Sequence, residues 1–246
     1  MPFVSKCPWL VFLFVISFSI MSGCSTVPND GSGPAKAALL SNPPHSYVEK
    51  VDVGFRNQVG VIEAPEVTAY LDKVAQRLFK ANVNPLPRVQ LVSAGTSGYE
   101  PSIWVLPGGK IYVDVAILKR LQFENELASG MAVSWDISEG TEFRERLLSE
   151  GAKPTAESQS VWAIGEVEYQ RAIESAVDRI YKAGYDPRGL VSFFDRTSKK
   201  KGDDLDTDME VRKEKARRTV AFYAPLLNPI VHTEDFHKMK KRLERL

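Results

Sequence analysis

Few side chains in this sequence could bind a metal ion. His232 and His237 lie close together near the C-terminus, Glu174 and Asp136 lie in segments with helical patterns, and His45 follows a Pro-rich stretch. Imidazole and carboxylate groups both suit zinc, so the first four residues could together form a metal site. The alternative, which the sequence favours, is that these lone histidines in a charged helix are solvated.

A serine nucleophile is a second chemical possibility, because Ser134 lies two residues from Asp136. Activating a serine takes a neighbouring base such as histidine or lysine, and the sequence places neither beside it. We therefore interpret Ser134 as a packing or helix-surface residue.

Two carboxylates share one face of a predicted helix. Glu174 and Asp178 are four residues apart, which puts them one turn from each other. They could be part of a metal site. They could equally be paired with Arg171, with Arg179 or with solvent, and this second interpretation is the one that we favour.

The elements that must position these residues are mostly helical. An apolar stripe predicts a helix that begins at Pro65, and a long helix is predicted from about Val161 to Lys182, where Ala-Gly-Tyr-Asp-Pro ends it. Three short runs rich in β-branched and aromatic residues predict a small sheet, with a Pro-Gly-Gly turn between the last two: 88–94, 102–106 and 110–115. The predicted fold class is α+β, mainly helical, with one sizeable domain.

Two segments resemble a known family. Residues 106–113, LPGGKIYV, are followed by the acids Glu124 and Glu126, and the helix ending in Ala-Gly-Tyr-Asp-Pro carries Glu174 and Asp178. This order is similar to the HtpX-type zinc metallopeptidases (gluzincins of peptidase family M-forty-eight). There an L-P-G-G-x-I-x-V strand and E-x-E-L-A precede the metal-binding H-E-x-x-H helix, and the Glu of E-x-x-A-D is the third zinc ligand.

A third segment, PIVHTEDFHKMKKRL near the end, weakly resembles the C-terminal His-Pro stretch of the family, with His232 as the counterpart. The resemblance covers most of residues 47–246. It implies a zinc-peptidase-like domain with a small β-sheet beside the metal helix, Glu174 as the third ligand and Asp178 as its support.

The departure from the family lies at the chemistry. Counting on from Glu126, the H-E-x-x-H positions fall on Val133, Ser134, Trp135, Asp136 and Ile137. A catalytic zinc needs three protein ligands and a water, so no zinc is expected, and Glu174, Asp178 and His232 are at most remnants of a site. Without the metal, a glutamate at 134 would be an unpaired buried charge, which serine avoids.

The function expected from this pattern is that of an inactive peptidase relative that binds a polypeptide or serves as an adaptor. In the family an extended substrate lies along the sheet edge, which here implicates Ser102, Ile103, Trp104, Val105 and Leu106. One alternative is an active zinc metalloendopeptidase with non-standard ligands, and another is a structural lipoprotein without a peptide groove.

The N-terminus resembles a bacterial lipoprotein signal. Lys6 precedes an apolar run that is shorter than a membrane-spanning helix needs, and Met21-Ser-Gly-Cys24 resembles a lipobox. We expect residues 1–23 to be removed, Cys24 to be acylated, residues 24–44 to form a flexible tether, and residues 45–246 to form the domain. Ser25 favours the outer membrane, facing the periplasm.

The charge of the mature chain gives no sign of a nucleic-acid partner. The sequence has 32 basic and 31 acidic residues, and the loss of Lys6 brings these numbers into balance. The basic stretches Lys199–Lys201 and Arg212–Arg218 could contact anionic lipid headgroups. Because acids are interleaved with them, solvated helix faces are the favoured interpretation. The expected partners are membrane lipid, through Cys24, and an extended polypeptide or envelope protein.

Overall fold

The computed structural model describes residues 45–79, 87–94, 102–150, 165–197 and 207–246. The predicted signal peptide, the tether with Cys24, and Lys199–Lys201 lie outside the described residues. No helix in the described part of the chain is long and apolar enough to cross a membrane.

Helices make up most of the described chain and pack around one small sheet. The helices are α1 His45–Arg56, α2 Pro65–Phe79, α3 Val115–Arg120, α4 Glu124–Ser138, α5 Thr141–Glu150, α6 Glu166–Lys182, α7 Gly189–Thr197, α8 Thr207–Val220 and α9 Glu234–Leu243. The strands are β1 Gly60–Val61, β2 Arg88–Ser93, β3 Ile103–Leu106 and β4 Lys110–Asp114. The α+β class is confirmed.

The sheet has the strand order β1-β2-β4-β3. Strand β4 pairs parallel to β2 and antiparallel to β3, and β1 pairs antiparallel to β2. The Pro-Gly-Gly turn between β3 and β4 is confirmed, and it needs its glycines because Gly108 and Gly109 have φ angles of 86° and 76°. Among the described residues, β3 is therefore one of the two outer strands of the sheet.

Helix α4 is the centre of the domain. Every residue along it is buried except Ser134 and Asp136, and it packs against β3, α6 and α7. Its small residues permit close crossings. A Cβ added at Gly130 would lie 2.5 Å from Phe193 and 2.7 Å from Ile103. The first part of this helix, which includes Gly130, is thus a packing surface rather than a reactive one.

Gly189, at the start of α7, lies too close to α4 to accept a larger side chain without a loss of stability. A Cβ at position 189 would lie 2.6 Å from the backbone oxygen of Asn125, which belongs to the buried helix α4. We expect Gly189→Ala to lower the free energy of unfolding by roughly 1–3 kcal/mol, since backbone has to move. Gly60→Ala is the matched control, because its added Cβ would lie 3.5 Å from the nearest atom. Urea unfolding of both variants tests this, and equal stabilities would contradict it.

Candidate functional site

The outer side of β3 presents backbone groups that the sheet does not use. The Asp114 amide donates to the Ser102 carbonyl at 3.1 Å, so residues 102, 104 and 106 face β4 in the antiparallel ladder. The backbone groups of Ile103 and Val105 consequently point away from the sheet. This is the hydrogen-bonding pattern of an outer strand to which another extended chain can add, although Ile103 and Val105 are each only 3% exposed.

A small pocket lies beside this edge. It has a volume of about 110 Å³ and is lined by residues of β3, α4, α5 and α6: Ser102, Ile103, Trp104, Val105, Ser134, Ile137, Phe143 and Tyr169. Pockets for drug-sized ligands span about 300–1,000 Å³. The volume here suits a single side chain.

Ser134 ties the central helix to the edge strand. Its hydroxyl donates to the Ile103 carbonyl at 2.9 Å. Asp136, its suggested partner, instead accepts a hydrogen bond from the Arg179 guanidinium at 2.6 Å. The hydroxyl therefore serves as a structural donor, and the described residues give it no triad-like arrangement.

Tyr169 is the residue through which α6 lines the pocket, and the sequence did not single it out. The guanidinium of Arg212 lies over its ring at 3.8 Å from the centroid, and the ring of Phe194 lies 6.1 Å away. Burial raises the pKa of the Tyr169 phenol. At neutral pH the group is thus an uncharged phenol that a ligand in the pocket can contact.

Glu174 and Asp178 lie outside this pocket lining. Glu174 is 58% exposed and forms an ion pair with Lys215 of α8. Asp178 pairs with Lys182 on its own helix, with an O–N distance of 2.7 Å. Of the positions matched to the family's H-E-x-x-H, Ser134 and Ile137 line the pocket, and Val133 is buried at 1% exposure.

Asp136 belongs to an ion pair between the two central helices. The side chains of Asp136 and Arg179 are 8% and 17% exposed. The Arg179 guanidinium also lies 5.2 Å from the ring centroid of Phe79. Burial raises the pKa of Asp136, and the bond from Arg179 opposes that rise. The pair fixes α6 against α4.

The histidines do not assemble a metal site with these acids. His232 lies by His237 and Phe123, with ring centroids 5.4 Å and 6.3 Å away. Within the described residues, no three side chains of His, Cys, Asp and Glu come close enough to hold a metal ion.

The three segments that resemble the family meet at the start of α4. The Glu124 carboxylate accepts hydrogen bonds from the hydroxyls of Tyr185, at 3.0 Å, and Thr233. The Asn125 amide donates to the Val231 carbonyl at 3.1 Å, and the Asp186 amide donates to that of Ile230. These motif residues therefore fasten the two C-terminal segments to the central helix.

Glu126 caps the same helix. Its carboxylate is fully buried and accepts from the amides of Gln122, at 2.6 Å, and Phe123, at 3.1 Å. Those amides belong to the turn that leads into α4, where an acid also complements the helix dipole. Both acids of the E-x-E-L-A match thus have structural roles.

Comparisons with known proteins add no relative. No protein-family model matches the chain, and no curated protein matches it.

Proposed function

We propose that this protein is a lipid-anchored envelope protein that binds an extended polypeptide along β3, on a peptidase-like domain without peptidase chemistry. The observation that carries the proposal is the outer position of β3, whose Ile103 and Val105 backbone groups face away from the sheet beside the pocket. The similarity to HtpX-type metallopeptidases gives the same place for a substrate.

The outer edge of β3 and the pocket beside it, together called the groove, offer the two parts of a strand-addition site: backbone hydrogen-bonding groups and a side-chain subsite. The Ile103 amide and the backbone groups of Val105 supply hydrogen bonds that do not depend on the sequence of the bound chain. The pocket between Ser134, Ile137 and Tyr169 supplies one partly apolar subsite for an alternate side chain. The hydrogen bond from Ser134 to the Ile103 carbonyl holds the edge at a fixed distance from α4.

The residues around the pocket do not fit zinc. A catalytic zinc site of this class takes two histidines and a carboxylate. The positions matched to these ligands are Val133, Ile137 and Glu174, and Glu174 lies outside the pocket lining and is paired with Lys215. The catalytic glutamate position is occupied by Ser134. The groove is therefore proposed as a binding site without resident metal.

Peptide binding tests the proposal directly. The purified full chain would be probed with an array of unstructured peptides, and the best binder resynthesised with N-methyl groups on alternate backbone amides. We expect methylation in one of the two phases to abolish binding, because the ligand loses the amides that pair with β3, and the other phase to retain it. Equal affinities for both phases would contradict strand addition.

Metal content separates this proposal from the active-peptidase alternative. The full chain, purified without a metal-binding tag, is expected to hold no stoichiometric zinc and to keep its melting temperature in chelator. Zinc near one per chain together with chelator-sensitive proteolysis would contradict the loss of chemistry. Failure of every array peptide to bind would favour the structural lipoprotein.

A further inference from the structure

The loop between α8 and α9 exposes large apolar side chains. Residues 221–229, AFYAPLLNP, connect α8 to α9 and are called the apolar loop here. Phe222 is 89% exposed and Leu227 is 98% exposed. Single exposed apolar residues are common, but two nearly complete exposures in one short loop mark an interaction surface.

The structure holds this loop at both of its ends. The Tyr223 ring contacts that of Tyr181, with centroids 5.0 Å apart, and the Tyr223 amide donates to the Val220 carbonyl. At the far end, the Ile230 amide donates to the Gly184 carbonyl at 2.8 Å. Phe222 and Leu227 are therefore projections on a supported loop.

Cations lie beside the loop. Lys182 and Arg218 are each 74% exposed, and Arg188, which helps to line the cavity beneath the loop, is 76% exposed. Their acidic partners are Asp178, Glu214 and Asp186. The pairs of Lys182 with Asp178 and of Arg218 with Glu214 are exposed and therefore weak, so these two cations remain available to anionic headgroups. Asp186 is only 8% exposed and holds Arg188.

The lipid anchor of the proposed function is the second support: with Cys24 acylated, the chain before His45 keeps the domain near a bilayer. The described residues begin at His45, and residues 25–44 separate it from the predicted acylation site Cys24. Even fully extended, that segment spans at most roughly 70 Å. Apolar tips beside exposed cations are typical of segments that enter the membrane interface.

We propose that the apolar loop inserts Phe222 and Leu227 into the surface of an anionic lipid bilayer. The insertion is independent of peptide binding at β3. It would give the protein a second membrane contact besides the predicted acyl anchor, and would fix which side of the domain faces the bilayer.

Depth-dependent quenching tests the insertion. The full chain, with Cys7→Ser and with Cys24 acylated so that its thiol is blocked, would carry one environment-sensitive dye on Asn228→Cys and be reconstituted in vesicles that contain anionic and brominated lipids. A matched protein carries the dye on Val167→Cys, a 66% exposed position on α6. We expect bromine to quench the dye at 228 and not at 167.

Removal of the two apolar tips completes the experiment. Phe222→Ser with Leu227→Ser is expected to reduce quenching at 228 to the level of the 167 control. Absent quenching at 228, or quenching that the double substitution leaves unchanged, would overturn the proposal. Shielding of the dye from an aqueous quencher without bromine quenching would also overturn it, in favour of a protein partner or a second copy.

Discussion

Replacing Arg179 with leucine should destabilise the domain by about 3–5 kcal/mol, the cost of breaking a buried ion pair from one side. The pair joins α6 to α4, and its two side chains are 17% and 8% exposed. Arg179→Leu would leave the Asp136 carboxylate buried without its cation. Urea unfolding at neutral pH measures the loss.

The loss should depend on pH with a definite sign. Burial, the largest influence, raises the pKa of Asp136, and Glu139 and Asp178 raise it further, whereas Arg179 lowers it. Without Arg179 the folded state disfavours the ionised carboxylate more strongly, while the unfolded chain keeps the ordinary carboxyl value of 3.8. The difference between variant and wild type should therefore be largest at neutral pH and shrink as the pH falls through the raised pKa.

Two further variants serve as controls for this prediction. Lys182→Leu breaks an exposed pair with Asp178 on the same helix and should change stability by less than about 1 kcal/mol. Replacing Asp136 as well as Arg179 with apolar residues should recover much of the loss, because no charge is then left unpaired. A loss in Arg179→Leu that is small and independent of pH would show that the pair does not stabilise the domain.

Three substitutions should create a zinc site in the groove. Ile137→His places an imidazole in the pocket lining, Val133→His places a second one turn away at a buried position of α4, and Tyr169→Glu supplies a carboxylate from the pocket-lining position of α6. We expect the triple variant to bind about one zinc per chain and to melt at a higher temperature with zinc. Zinc titration with a competing indicator measures the affinity.

The matched control decides which carboxylate position belongs to the groove. The two histidine substitutions with Tyr169 retained keep the native Glu174, which is paired with Lys215. If each ligand contributes roughly 3 kcal/mol, this control should bind zinc about a hundredfold more weakly. Equal affinity would place Glu174 in the site, and a folded triple variant without zinc binding would contradict the origin proposed for the groove.

The position of the buried face of α6 explains why Tyr169 lines the pocket and Glu174, the residue matched to the family motif, does not. The buried face of α6 is formed by Ala172, Ile173, Ala176, Val177 and Ile180. Tyr169 lies one turn before Ile173, so it continues that stripe, whereas Glu174 lies off it. The short Glu-to-Asp spacing matched a motif by residue type, but the apolar stripe determines which side chains reach α4.

The sheet was predictable in its parts but not in its order. Short β-branched runs and two adjacent glycines define β2, β3, β4 and the turn, because these signals are local. The outer position of β3 depends on the parallel pairing of β2 with β4 and on β1 joining β2. Those pairings link distant segments, so periodicity does not reveal them.

The structural acids could not be recognised from sequence alone. Glu124 and Glu126 precede the positions of a metal motif, which suggests chemistry by association. In the structure both are buried carboxylates: Glu124 accepts from Tyr185 and Thr233, far along the chain, and Glu126 accepts from the amides of Gln122 and Phe123. Only the three-dimensional meeting of these segments shows that these two acids have structural roles.

Peptide binding along β3 is tested most directly by the peptide affinity of Val105→Pro compared with that of Val61→Pro. Both substitutions remove a backbone amide on an outer strand. The Val105 amide faces away from β4, and the Val61 amide faces away from β2, because Val61 lies between two positions that bond to β2. Circular dichroism would establish that both variants are folded. We expect Val105→Pro to weaken peptide binding at least about tenfold, because one hydrogen bond to the peptide is lost. We expect Val61→Pro to have no effect on peptide binding. Equal effects of the two variants would contradict peptide binding at β3.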